Sequence, residues 1–162
     1  VLVDRAASLY EPAKPIGRRV LALCGPEEPE ELGAQMGVDL LEAAGFQVTF
    51  AGGGVPTDEI LGHVNEHKPD VLLMFSSAAG DLPDIRRMID QIHEIHACPD
   101  LQIVVGGGVF NRAEGLAEEI GADLWASSPV ELAHLMIERP YQRAADGQRT
   151  VGRKRKTRSK AA

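Results

Sequence analysis

Three short stretches carry side chains whose type and spacing could do chemistry. The first, "CGPEEPEELG" at 24–33, crowds Glu27, Glu28, Glu30 and Glu31 into the turn after an apolar run. Four carboxylates there oppose an anion, because they neutralise the positive end of the helix that follows. The second group is made of small and hydroxyl residues: "SSA" at 76–78, "GGG" at 106–108 and "SSP" at 127–129. Glycines in such turns allow tight turns and close backbone approach. The third, "HVNEH" at 63–67, sets His63 and His67 one helical turn apart, a spacing that could hold a metal. That segment reads as a crossover helix with no third ligand beside it, so two surface histidines are expected, as for His93 and His96. Cys24, surrounded by glutamates, reads as a buried strand-end thiol rather than a nucleophile.

The elements that must position these residues repeat five times. "RRVLALC", "FQVTFA", "DVLLMFSS", "LQIVVGG" and "DLWASS" are apolar runs of strand length. Each is followed by a helical pattern: "PEELGAQMGVDLLEAAGF", "PTDEILGHVNEH", "LPDIRRMIDQIHEIH", "RAEGLAEEIG" and "PVELAHLMIE". Pro29, Pro56, Pro83 and Pro129 mark helix starts. In the first helix Leu32, Met36, Leu40 and Leu41 fall on one face, which is expected to be its core face. Strands apolar on both sides belong inside a parallel sheet covered by helices, so the expected fold is α/β, a doubly wound five-stranded parallel sheet of flavodoxin-like (Rossmann-like) type. Ligands of such sheets sit beyond the carboxyl ends of the strands, so the candidate site segments are 24–33, 51–56, 76–82, 106–112 and 127–129, and not the 63–67 helix.

Composition narrows the class further. With 162 residues, 44% of them hydrophobic, one compact domain is expected over 18–138. Residues 1–17 read as a short helix and a Pro-containing linker. The first residue is valine, which suggests an alternative start codon or a piece of a longer protein. Two cysteines, Cys24 and Cys98, form no metal-type pair and suit a reduced, cytoplasmic protein without a disulfide. No stretch approaches the ~20 apolar residues of a membrane span. Charge is divided: residues 1–138 hold 8 Lys/Arg and 23 Asp/Glu, whereas 139–162 hold 9 basic residues and 1 acidic. The basic tail is expected to be disordered, serving either as a weak contact to nucleic acid or another polyanion through 149–160 or as a solubilising partner for the acidic body. Within 149–162 no aromatic residue interleaves the basic ones for base stacking.

Two familiar readings fail on detail. "AGGGVP" and "VGGGVF" do not complete a dinucleotide-binding fingerprint at the first helix. A phosphoacceptor receiver also has acids after its first strand, but here Phe75, Ser76 and Ser77 stand where its phosphorylated aspartate should be, and Ser128 where its lysine should be.

Taken together, the spaced features resemble the cobalamin (corrinoid)-binding domain family, most like the C-terminal domain of methylmalonyl-CoA mutase. The family pattern is Asp-x-His-x-x-Gly after the first strand, Ser-x-Leu after the third and Gly-Gly after the fourth. Counting back from "EAAGFQVTFAGGGVPTDEI", Gly33 takes the motif glycine, Glu28 the aspartate position and Glu30 the histidine position. Forty-two residues separate Gly33 from Ser76, and 27 separate Ala78 from Gly106. The resemblance covers about 18–137. It implies a cofactor site built from Glu28, Glu30, Gly33, Ser76, Ser77, Ala78, Gly106, Gly107, Ser127 and Ser128, with no catalytic residue and no protein metal ligand. In the family the histidine coordinates cobalt; a carboxylate suits that position less well. Some members of the wider family lack the histidine and hold cobalamin without a protein ligand. The resemblance therefore implies base-on cobalamin here, and a catalytic or capping partner chain, a further domain or a homodimer to cover the upper face. The other reading is a degenerate relative without corrinoid, acting as a regulatory or protein-interaction domain. In neither reading is the chain an enzyme by itself, since no nucleophile and base pair is assembled.

Overall fold

The computed structural model describes residues 13–25 and 28–145, with residues 28–30 described by their backbone only. The helix expected within 1–12, Glu27, and the 149–160 contact segment lie outside the described residues.

Five parallel strands form one sheet in the order β2-β1-β3-β4-β5. They are β1 (Arg19–Cys24), β2 (Gln47–Gly53), β3 (Val71–Phe75), β4 (Gln102–Gly106) and β5 (Leu124–Ala126). This is the doubly wound, flavodoxin-like α/β fold expected from the alternating pattern. The central strands β3 and β4 are buried along their whole length, as their apolar character on both sides requires. Alternate side chains feed two separate cores. Leu21, Leu23, Leu72, Met74, Ile103 and Val105 pack beneath α2 (Thr57–His67) and α3 (Leu82–Ile95). Val20, Ala22, Leu73, Phe75 and Val104 face α1 (Glu28–Ala43) and the last helix, α6 (Pro129–Glu138). Pro83 and Pro129 sit in first helical turns and Pro56 caps α2.

Two expectations are corrected. On α1, Leu41 is buried, but Leu32, Met36 and Leu40 point to solvent. The face against the sheet is Ala34, Gly37, Val38 and Leu41. The reason is the Phe75 ring: a Cβ on Gly37 would lie 2.8 Å from Phe75 Cζ. A helix that must clear an aromatic ring on the strand below presents small residues to it. The segment read as one helix over 112–121 is two short ones, α4 (Gly108–Arg112) and α5 (Leu116–Glu119). Gly115, at φ +78°, turns the backbone left-handed between them.

The packed chain continues past Glu138. Gln102, fully buried at the start of β4, donates from Nε2 to the carbonyls of Arg139 (2.9 Å) and Gln142 (3.1 Å). Its Oε1 accepts from the Arg18 guanidinium at 3.2 Å. Asp123 Oδ1 accepts from Ala144 N at 2.7 Å, and its Oδ2 from Ile103 N at 2.7 Å. Residues 139–145 are thereby tied under the sheet, at the edge opposite the candidate site.

Candidate functional site

At the carboxyl edge of the sheet, on the α1 and α6 side, lies a slot of about 260 Å³. It is lined by Gly33 from α1, Phe75, Ser76 and Ser77 after β3, Gly106 to Gly108 after β4, and Ser127 and Ser128 after β5. Four segments far apart in sequence converge there. Of the site residues expected from sequence, Gly33, Ser76, Ser77, Gly106, Gly107, Ser127 and Ser128 line this slot. Ala78 does not; its carbonyl closes the 76–81 turn by accepting from Asp81 N at 3.2 Å. Glu28 and Glu30 lie in the first turn of α1, with side chains outside the described residues.

One close contact holds the slot together. Gly107 has φ +111°, and a Cβ there would run into the Ser76 carbonyl oxygen while lying 2.8 Å from its carbon and 2.9 Å from Ser76 N. Ser76 N donates to Gly106 O at 3.0 Å, so the turns after β3 and β4 are locked side by side. Gly106 faces the Phe75 ring, with room for an added Cβ at 3.5 Å. The slot floor is therefore glycine backbone and an aromatic ring.

The hydroxyls have different tasks. Ser76, 1% exposed, lies 2.9 Å from Asp81 Oδ2 and 3.1 Å from Ala78 O, so its one proton is donated within its own turn. Two-residue alternation puts Ser76 on the side of Met74 and Ser77 on the side of Phe75, which is the slot side. The Arg112 guanidinium donates to the Ser77 carbonyl. Ser128 caps α6, its Oγ accepting from Glu131 N at 3.2 Å. Glu131 Oε2 reaches back to accept from Ser127 N at 2.8 Å and Ser127 Oγ at 2.5 Å. This reciprocal cap fixes the slot wall and leaves the Ser128 proton to be donated.

The Ser127 hydroxyl, and then its backbone N–H, hold the Glu131 carboxyl below the usual glutamate range. A depressed folded pKa means a contribution to stability that is complete above the unfolded value and disappears as pH falls through the folded one. An NMR titration should accordingly find Glu131 titrating below ordinary exposed glutamates, and Ser127→Ala should move its midpoint upward. An unchanged midpoint would dismiss the cap as its cause.

Phe75, Asn111 and Leu132 also line the slot; Phe75 and Leu132 were not among the expected site residues, and Asn111 was covered only by the 106–112 candidate turn. Asn111 Nδ2 donates to Ser127 O at 2.9 Å, joining the turns after β4 and β5. A second, larger cavity of about 350 Å³ opens on the other side of β1 and β3, lined by Leu23, Val55, Ile60, Met74, Ile85 and Met88 among others. None of the residues expected from the spaced motifs lines it.

None of the five histidines lines the slot. His63 and His67 stack on α2 with ring centroids 4.1 Å apart. Among the described residues no group of three or more His, Cys, Asp or Glu could hold a metal ion, and no helix is long and apolar enough to cross a membrane. The residues lining the slot include no imidazole.

A model of the B12 binding domain matches residues 18–133. Among solved structures, a cobalamin-binding protein of Desulfitobacterium hafniense DCB-2 aligns with TM-score 0.69 and 20% identity, over 75% of this chain and 58% of that one. The monomethylamine corrinoid protein of Methanosarcina barkeri aligns with TM-score 0.67 and 20% identity, over 74% and 57%. The methanol:cobalamin methyltransferase complex of the same organism aligns with TM-score 0.66 and 17% identity, over 83% and 50%. The chain therefore spans between 50% and 58% of the length of these structures, and their likeness is one of fold. No curated protein gives a significant match to the sequence.

Proposed function

The chain belongs to the B12 binding domain family, and from that premise we propose that it holds a corrinoid with no protein group on cobalt and presents it to a partner chain or domain. The convergence of Gly33, Ser77, Gly106, Gly107, Ser127 and Ser128 on one slot carries this reading. A slot of about 260 Å³ lies below the roughly 300–1,000 Å³ usual for whole small-molecule sites. Its lining residues would hold part of the cofactor at the carboxyl edge of the sheet. When bound, the corrinoid would supply a cobalt–carbon bond for alkyl transfer or homolysis; the chain's residues would bind and orient it. With glutamate at position 30, displacing the cofactor's own base from cobalt would break a metal–nitrogen bond and return none of equal quality, so the base stays on. An open upper face calls for a second chain or domain, in keeping with the methanol:cobalamin methyltransferase complex from Methanosarcina barkeri.

Equilibrium dialysis against hydroxocobalamin and adenosylcobalamin tests the reading. Saturable retention of one corrinoid per chain is expected. Retention of neither form would leave a relative that has lost the cofactor and works as an interaction domain. The double change Glu28→Asp with Glu30→His should then convert the bound cofactor to a base-displaced spectrum and tighten binding at least tenfold. Unchanged affinity and spectrum would mean that position 30 does not lie under the cobalt.

A further inference from the structure

The cavity of about 350 Å³ lies at the same carboxyl edge as the slot but on the other face of the sheet, between the ends of β1 and β3 and the first turns of α2 and α3. Its volume falls within the roughly 300–1,000 Å³ of small-molecule sites. Leu23, Val55, Ile60, Met74, Ile85 and Met88 make its walls, and all but Val55 are buried. The two methionines bring unbranched thioethers that adapt to the shape of an occupant.

The charge around these walls has one sign. Asp81 and Asp84 line the cavity, and among the described residues no lysine, arginine or histidine does. The N-termini of α2 and α3 both meet it, each bringing roughly half a positive charge. Asp58 and Glu59 in the first turn of α2 and Asp84 in that of α3 outweigh that sum. Glu31 adds a further carboxylate at the rim, where its Oε1 accepts from Gly53 N at 3.4 Å, next to Gly52 of the lining. Arg87 donates to Asp84 Oδ1 at 2.8 Å, but the two side chains are 67% and 70% exposed, and a pair so open to water is weakly held. Asp81 Oδ2 accepts from the Ser76 hydroxyl at 2.9 Å, a neutral donor.

We propose that this cavity binds a small primary alkylamine in its ammonium form, with the alkyl chain among the apolar walls and the ammonium at the mouth beside Asp81 and Asp84. The walls alone would take any hydrocarbon chain, so the acids set the class. An ammonium has three donors and no acceptor, and its hydrogen bonds to carboxylates are charge-assisted. A neutral alcohol of the same length gains only ordinary hydrogen bonds there. An alkyl carboxylate meets like charge with no cation lining the cavity to receive it. The site lies across the sheet from the slot and does not depend on corrinoid binding.

The four methionines make the test local. Met74 and Met88 line the cavity, Met136 is buried in the core on the opposite face and Met36 is exposed on α1. In the full chain carrying methyl-labelled methionine, NMR titration with n-hexylamine at neutral pH should shift the Met74 and Met88 methyls saturably and leave Met36 and Met136 in place. n-Hexanol should reach the same two methyls about tenfold more weakly, and n-hexanoate should move neither. Asp81→Asn with Asp84→Asn keeps the side-chain shapes and an acceptor for Ser76, and should bring the amine down to the affinity of the alcohol. Asp84→Asn alone, at an exposed position that spares the core, should weaken the amine about threefold. Amine and alcohol binding alike, hexanoate binding as well as the amine, or an amine affinity indifferent to both changes would overturn the proposal. So would shifts spread over all four methyls, or none at Met74 and Met88.

Discussion

Gly107→Ala should cost about 3 kcal/mol or more of stability and abolish corrinoid retention with it. The position combines φ +111° with backbone atoms of Ser76 in the space a Cβ would take. A left-handed conformation strains an alanine by about 1–3 kcal/mol, and the clash adds to that because peptide backbone, unlike a side chain, cannot rotate aside. Either the turn after β3 or the one after β4 must move, and both are slot walls. Gly106→Ala is the control: its Cβ would meet the Phe75 ring at 3.5 Å, an ordinary contact, so its cost should stay near 1 kcal/mol or less. Chemical denaturation of the two variants checks the contrast. Equal midpoints would mean the close approach of Gly107 to Ser76 is unimportant.

Gly33→Leu should separate folding from binding. Gly33 lies within α1, and a Cβ there meets nothing within 4 Å. Replacing a helical glycine with a good helix former contributes up to about 1 kcal/mol, so the variant should be at least as stable as the parent. Yet the new side chain projects into the slot that Gly33 lines. Corrinoid affinity should fall tenfold or more, about 1.4 kcal/mol. A more stable protein with undiminished retention would show that the cofactor does not use this slot.

Much of the fold was legible because the strands are unusually plain. "DVLLMFSS" and "LQIVVGG" admit few places other than the middle of a parallel sheet, and β3 and β4 are buried throughout. The error on α1 has a physical source. Periodicity identifies the larger apolar residues, whereas the sheet face here had to be small because Phe75 rises against Gly37. Leu32, Met36 and Leu40 lie outside the domain core, exposed to solvent. Segment 112–121 misled for a different reason: Gly115 could be tolerated within a helix, and only the backbone shows that it turns left-handed.

The slot was legible where a hydroxyl or glycine followed a strand. "VVGGGV" marked a turn but not which glycine lacks room for a side chain; that depends on Ser76, 31 residues earlier. Phe75 read as one more strand residue, and Asn111 as part of the turn before a helix expected from 112, whereas the observed helix begins at Gly108. Nothing local announces that Asn111 will bridge to Ser127. Gln102 did carry a signal, a polar residue inside an apolar run, and its partners Arg139 and Gln142 extend the packed chain beyond the last helix.

The most direct measurement of the central claim is the visible absorption spectrum of the purified chain titrated with hydroxocobalamin and with adenosylcobalamin. Saturable binding that preserves the base-coordinated spectrum of both forms is the predicted result, since no histidine reaches the slot and position 30 is glutamate. A base-displaced spectrum on binding to the unaltered chain, or no binding of either form, would contradict it.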